Sequence, residues 1–182
     1  MVERFVTAGW TVAAPRRAEV DLTDPEAVRR AVADAAPLHA VVNLAGGFAA
    51  GQPVGETPVE DFEAVLRLNL RTTYVVCHAA IPHLAEDGAI VCTSSATAHQ
   101  PFAGSAGYAA SKAGVIALAR AVAKEGARCN VVSPSLIDTP ANRESMPESS
   151  WGRLVPPQLI AELILWLCSS DSAALNGAEL PV

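Results

Sequence analysis

Apolar runs and amphipathic stretches alternate from one end of the chain to the other. WTVAA (10–14) predicts a short strand. Asp24-Pro25-Glu26 predicts a helix start, with Thr23 or Asp24 as cap and Pro25 in the first turn; Val28, Ala31, Val32 and Ala35 then recur at helical spacing. LHAVVNLAG (38–46) is a continuous apolar strand that ends in a turn. Thr57-Pro58-Val59-Glu60 reads as a capping box opening a helix over 58–81, through Phe62, Val65, Leu66, Asn69, Thr73, Val76 and Cys77. GAIVCTSS (88–95) is the next buried strand, and a long helix follows from Tyr108 to about Gly126. RCNVVSP (128–134) is a strand cut off by Pro134. Pro156-Pro157 opens a helix with Leu159, Ile160, Leu163, Ile164 and Leu167 on one face, and AELPV closes the chain as a final strand. Strands that are apolar throughout, separated by helices, predict a parallel sheet covered on both faces. The expected class is α/β, doubly wound, with residues 1–182 forming a single domain.

Composition narrows the function. About half the residues are apolar and the net charge is -6, with only two lysines and no basic cluster. Phosphate neutralisation needs concentrated Lys and Arg, so a nucleic-acid partner is not expected. Cys77, Cys92, Cys129 and Cys168 are widely spaced without a CxxC pair, and His39, His78, His83 and His99 show no ligand spacing. They read as core cysteines in a reducing compartment, with no metal site. Glu3 and Arg4 follow the first Met directly and the apolar runs are short, so neither a signal peptide nor a membrane span is expected. A cytoplasmic location is the default expectation.

The sharpest local signal is Tyr108-Ala-Ala-Ser-Lys112. Positions four apart share a helix face, so a phenol and an ammonium can meet there. A neighbouring cation favours the ionised form of a phenol, which makes the pair a usable general acid/base. Ser95 lies thirteen residues earlier, at the C-terminal end of a buried strand, where ligands bind in open parallel sheets. Its hydroxyl suits polarisation of a carbonyl oxygen, although Ser94 is an equally good candidate for capping the strand end. Asn69 is a polar residue amid the apolar face of the 58–81 helix.

In order and spacing, Asn69, Ser95, Tyr108 and Lys112 resemble the Asn-Ser-Tyr-Lys tetrad of the short-chain dehydrogenase/reductase family. Other segments agree along nearly the whole chain. Asp21-Leu22-Thr23-Asp24 is similar to the family's acidic turn that touches adenine. Asn43-Leu44-Ala45-Gly46 resembles its NNAG segment, with Leu44 replacing the second Asn. Asn130 through Pro134-Ser135 resembles its N-x-x-x-PG, with Ser135 where Gly is usual, and Thr139 matches the Thr that meets the nicotinamide carboxamide.

The resemblance implies a Rossmann-like fold and an NAD(P)(H)-dependent oxidoreductase acting on a small carbonyl or alcohol substrate. Tyr108 would exchange the substrate proton, Lys112 would favour the phenolate and hold the nicotinamide ribose, Ser95 would orient the substrate oxygen, and Asn69 would keep a water in a relay to Lys112. Cofactor contacts are implied for Asp21, Leu22, Asn43, Ala45, Gly46, Tyr108, Lys112, Pro134, Ile137 and Thr139. Family members pair through the helices expected at 58–81 and 108–125, so a homodimer or homotetramer is implied. A silent relative that keeps the fold for association would use the same face.

A narrower resemblance runs through Ala45–Gly51, through Ile137–Glu148 and on to Trp151, and is to dihydropteridine reductases. It leaves a quinonoid dihydropterin open as an alternative to an ordinary ketone, even though Asn69 and Ser95 are absent from the animal members. The stretch from Arg143 to Trp151 is expected to form a lid. NAD-preferring members carry an acid at the end of the second strand; here Pro15 stands near that place with Arg16 and Arg17 beside it. Arg16 is therefore an expected 2′-phosphate contact, and NADP(H) is expected over NAD(H).

A family member is expected to open with a strand and a glycine-rich turn that holds pyrophosphate. No such cluster precedes WTVAA, and Met1–Gly9 resembles the end of the helix that would follow it. The expected consequence is a sheet without its usual central strand, whose two former neighbours expose two rows of unpaired backbone groups.

Overall fold

A computed structural model describes residues 1–182. Four parallel strands form one sheet in chain order: β1 (Leu38–Asn43), β2 (Leu84–Thr93), β3 (Arg128–Ser133) and β4 (Glu179–Pro181). The helices are α1 (Val2–Thr7), α2 (Pro25–Ala35), α3 (Val59–Leu66), α4 (Thr72–Ala80), α5 (Ala106–Lys124), α6 (Pro140–Glu144) and α7 (Pro157–Cys168). Every strand-to-strand connection carries a helix, as parallel pairing demands. The expected doubly wound α/β class is the one observed.

The core lies on both faces of β2 and β3. On one face, Ile90, Cys92, Cys129 and Val131 meet Val115, Ile116 and Ala119 of α5 and Cys77 and Ala80 of α4. On the other, Val91 and Val132 meet Ile160, Ile164 and Leu167 of α7 and Phe5 of α1. Alternate strand residues thus face opposite helix layers, which explains the apolar runs Ala89–Cys92 and Val131–Val132 within these strands. All four cysteines are buried free thiols.

Several local expectations are corrected. Residues 10–14 form no strand: they pair with none of the four strands, and the Trp10 N–H donates to the Phe5 carbonyl. Instead Trp10 packs edge-on against Phe5 with ring centroids 5.5 Å apart, and Val12 lies against the α7 cluster. The first apolar strand stops at Asn43 rather than Gly46. There the Asn43 side chain accepts from the Ala45 N–H at 3.2 Å and turns the chain out of the sheet. The capping box does not form, since the Thr57 hydroxyl donates to the Gln52 and Pro53 carbonyls and Pro58 precedes the first helical residue. Asp24 does cap α2, accepting from the Glu26 N–H at 2.9 Å.

The single helix expected over 58–81 is observed as unbroken helical backbone over 59–80, with one irregular turn inside it. A π-helical turn, Arg67–Arg71, separates α3 from α4 and carries Asn69 at its centre. Such turns occur mostly as local insertions at functional positions. The outer edge of β1 carries no further strand.

Candidate active site

The C-terminal ends of β1, β2 and β3 open into a cleft of about 190 Å³. Its lining brings together Gly46, Ser95, Tyr108, Lys112, Pro134 and Ile137 from the residues singled out in the sequence. Leu44, Gly47, Phe48, Thr93, Ser94 and Ser135 complete it. Lys112 is the one charged side chain among them.

Two residues of α5 supply the candidate acid/base pair. Tyr108 and Lys112 are both buried, and the Lys112 ammonium lies 5.8 Å from the centre of the Tyr108 ring. Lys112 Nζ donates to the Thr93 carbonyl oxygen at 3.0 Å, which ties the helix to the end of β2. Burial lowers the Lys112 pKa from 10.5 to about 8.

Ser94 and Ser95 divide two tasks. The buried Ser94 hydroxyl donates to the Lys112 carbonyl oxygen at 2.8 Å and is a structural strut. Ser95 caps the short turn that follows, accepting from the Thr97 N–H at 3.2 Å, and its own proton has only the distant Thr97 hydroxyl, 3.3 Å away, as acceptor. A carbonyl oxygen in the cleft is a better one. The Ala96 N–H donates to the Pro134 carbonyl at 3.0 Å, so the loops after β2 and β3 are joined beside Ser95.

Asn69 is fully buried and holds the loop after β1. Its Oδ1 accepts from the Gly47 N–H at 3.0 Å, and its Nδ2 donates to the Gly47 carbonyl at 3.1 Å and to the Val65 carbonyl at 3.2 Å. Thr73 donates to the Asn69 carbonyl at 2.6 Å and accepts from Asn43 Nδ2 at 3.0 Å. This network leaves the Asn69 carboxamide no free N–H. Gly46 lies so close to it that a Cβ would sit 2.5 Å from Asn69 Oδ1.

Other singled-out residues lie elsewhere. Arg16 is exposed and paired with Glu19 at 2.6 Å. Asp21 accepts from the Thr23 N–H and hydroxyl, each at 2.8 Å, and Leu22 packs against the Val28 cluster. Asn43 and Ala45 serve the turn after β1, and Thr139 caps α6 by accepting from the Asn142 N–H at 3.2 Å. None of these six lines the cleft. Residues 143–151 do not line it either; Trp151 instead stacks on the Arg143 guanidinium at 4.8 Å. Phe48 is a cleft residue that sequence reasoning misses, because one aromatic side chain in a Gly-rich loop carries no spacing signal.

The cleft fits the nicotinamide-ribose end of a dinucleotide. Lys112 keeps two N–H donors beyond the one engaged by Thr93. Thr93 Oγ1 is buried without a partner in the protein, and the whole lies at the carboxyl ends of the strands. A pyrophosphate-holding glycine-rich turn does not occur within these residues.

Comparison with known proteins agrees with that geometry. The family model described as enoyl-(acyl carrier protein) reductase matches residues 2–182. The 4-formylbenzenesulfonate dehydrogenase of Comamonas testosteroni is 35% identical over 181 residues, covering 86% of this chain and 72% of the relative. A short-chain dehydrogenase from Burkholderia cenocepacia, solved in complex with NADP, superposes with a TM-score of 0.79 at 32% identity, over 90% of this chain and 73% of that one. A Brucella melitensis short-chain dehydrogenase/reductase of the glucose/ribitol dehydrogenase type covers this whole chain and 80% of its own, with a TM-score of 0.83 and 26% identity.

Proposed function

This chain belongs to the short-chain dehydrogenase/reductase family of NAD(P)-dependent oxidoreductases, and on that premise we propose that it interconverts a small carbonyl compound and its alcohol with Tyr108 as proton donor and acceptor. One observation carries the reading. Tyr108, its helical neighbour Lys112 and the Ser95 hydroxyl line a single cleft at the carboxyl ends of the strands.

In the reducing direction, the Ser95 hydroxyl donates a hydrogen bond to the substrate carbonyl oxygen and polarises it. The chemistry a bound NAD(P)H would supply is hydride transfer to the carbonyl carbon. Tyr108 gives its phenolic proton to the oxygen as negative charge gathers there, and the buried Lys112 ammonium stabilises the phenolate left behind. Asn69 acts through Gly47, fixing the loop that forms one side of the cleft. Lys112 also holds the ribose hydroxyls through its two remaining donors. NADP(H) over NAD(H) is supported by Arg16 and Arg17 near an expected acid position, although Glu19 already pairs with Arg16.

Self-association belongs to the same reading. Leu66, Leu70, Tyr74 and Leu118 form a shallow apolar groove across α3, α4 and α5, the face through which the family resemblance implies pairing.

Titration with NADPH and with NADH, followed by nicotinamide fluorescence, tests the function. The expected result is saturable binding of at least one nucleotide, with carbonyl turnover reduced by about 10²-fold or more in Tyr108→Phe while nucleotide still binds. Wild-type rates in Tyr108→Phe, or no fluorescence change with either nucleotide, would sink the reading.

A further inference from the structure

Two exposed phenylalanines stand together at the cleft, Phe48 in its lining and Phe102 next to Phe48. Phe48 is 67% exposed and Phe102 is 49% exposed, yet neither is loose. The Phe48 ring meets the Tyr108 ring edge-on, with centroids 5.1 Å apart, and the Phe102 ring lies beyond it at 6.4 Å and 31°.

The backbone around them is locked. The Gly51 N–H donates to the Gly104 carbonyl at 3.0 Å, joining the loop after β1 to the loop before α5. That approach requires glycine at 104: its φ is +85°, and a Cβ there would lie 2.2 Å from the Gly51 carbonyl oxygen. Ser105, fully buried, clamps Phe102 from both sides of its peptide, accepting from its N–H at 2.9 Å and donating to its carbonyl at 2.7 Å. A pair of rings held in place while facing water is a preformed surface awaiting an apolar occupant.

Its location selects the occupant. Phe48 lines the same cleft as Tyr108 and meets its ring, so a substrate whose carbonyl oxygen reaches the Tyr108 hydroxyl has Phe48 beside its skeleton. Lys112 is the one charged side chain in the cleft, and its buried ammonium is bonded to Thr93 and assigned to Tyr108 and the ribose, so no other charge faces that skeleton. Aromatic rings prefer edge-on or offset partners at such separations. We infer that Phe48 and Phe102 form an aryl-binding wall, and that the preferred substrates are uncharged aryl aldehydes or ketones, or their alcohols. This inference deepens the carbonyl reading and rests on it for its catalytic arm, while its binding arm is independent.

Two measurements test it on the full chain. The first is the ratio of kcat/KM for benzaldehyde over cyclohexanecarbaldehyde, which differ in ring aromaticity. The second is binding of benzamide, a flat probe that is not turned over, by calorimetry. Wild type should favour the aryl aldehyde, and Phe48→Leu and Phe102→Leu should each reduce the ratio and weaken benzamide by roughly tenfold. A ratio within one variant cancels any general loss of active protein. An unchanged ratio and unchanged benzamide binding in both variants, or no benzamide binding by wild type, overturns the wall. If no aldehyde is turned over but benzamide binds and is lost in Phe48→Leu, the proposed oxidoreduction fails and the aryl site stands.

Discussion

Asn69 holds the peptide of Gly47 by both ends of its carboxamide, accepting from the N–H at 3.0 Å and donating to the carbonyl at 3.1 Å. The contact joins the π-turn between α3 and α4 to the loop after β1, twenty-two residues away in the chain. Since Gly46 and Gly47 line the cleft, the grip decides the shape of one of its walls.

Gly46→Ala is the smallest change that breaks this arrangement. The new methyl would lie 2.5 Å from Asn69 Oδ1 and 3.2 Å from Lys112 Nζ, at a φ of +153°. Neither partner can retreat, because Asn69 is fully buried and Lys112 is bonded to Thr93. The expected cost is about 1–3 kcal/mol of stability, as for other overpacked interiors, read from urea unfolding. Displacement of the cleft wall should also lower kcat by tenfold or more, on the order of what a misplacement near 1 Å does. Wild-type stability and rate in Gly46→Ala would show that the grip positions nothing.

The two adjacent serines should separate cleanly. Ser94→Ala removes a buried strut to the Lys112 carbonyl and should lower stability by about 1 kcal/mol. Ser95→Ala loses a cap on a three-residue turn, worth a few tenths to about 1 kcal/mol, but should depress kcat with a much larger factor. Paired melting curves and steady-state rates check the division. The assignment fails if Ser94→Ala is the variant that loses turnover at unchanged KM.

Lys112 sets a pH dependence of stability. Its pKa falls from 10.5 in the open chain to about 8 when buried, so between those values the unfolded chain binds more protons and stability rises with pH. Below about pH 8 the ammonium is charged in both states and its full burial penalty is present. Lys112→Met removes that charge at similar length. The variant should therefore be more stable than wild type at pH 7, by an amount that shrinks steadily as pH rises from 8 to 10.5. Denaturant midpoints across that range provide the measurement, and a stability difference independent of pH would contradict it. Activity should be lost in the same variant at every pH.

Much of this molecule was legible without coordinates, and the reason is local. The central residues of β2 and β3 are buried on both faces, so the runs Ala89–Cys92 and Val131–Val132 are apolar without alternation and could not be mistaken for solvent-facing segments. The Tyr108–Lys112 spacing is a property of any α-helix, and Asp24 followed by Pro25 starts one wherever it stands. These features involve residues within a turn of each other, and the chain alone determined them.

What tertiary structure decided depends on neighbours distant in the chain. WTVAA has the composition of a strand but forms none, because a strand exists only where another backbone pairs with it. The Thr57 hydroxyl could accept from a helix N–H as a cap or donate to a carbonyl, and the fold of the preceding loop supplied the Gln52 and Pro53 carbonyls as acceptors. Asn69 was recognisable as an unusual polar residue, yet only the close approach of Gly46 and Gly47 showed that its carboxamide grips the loop after β1. Phe48 and Phe102 lie 54 residues apart in the chain. They stand together at the cleft because Gly104 admits the Gly51 carbonyl where any side chain would exclude it, a relation between two loops that neither loop's sequence contains.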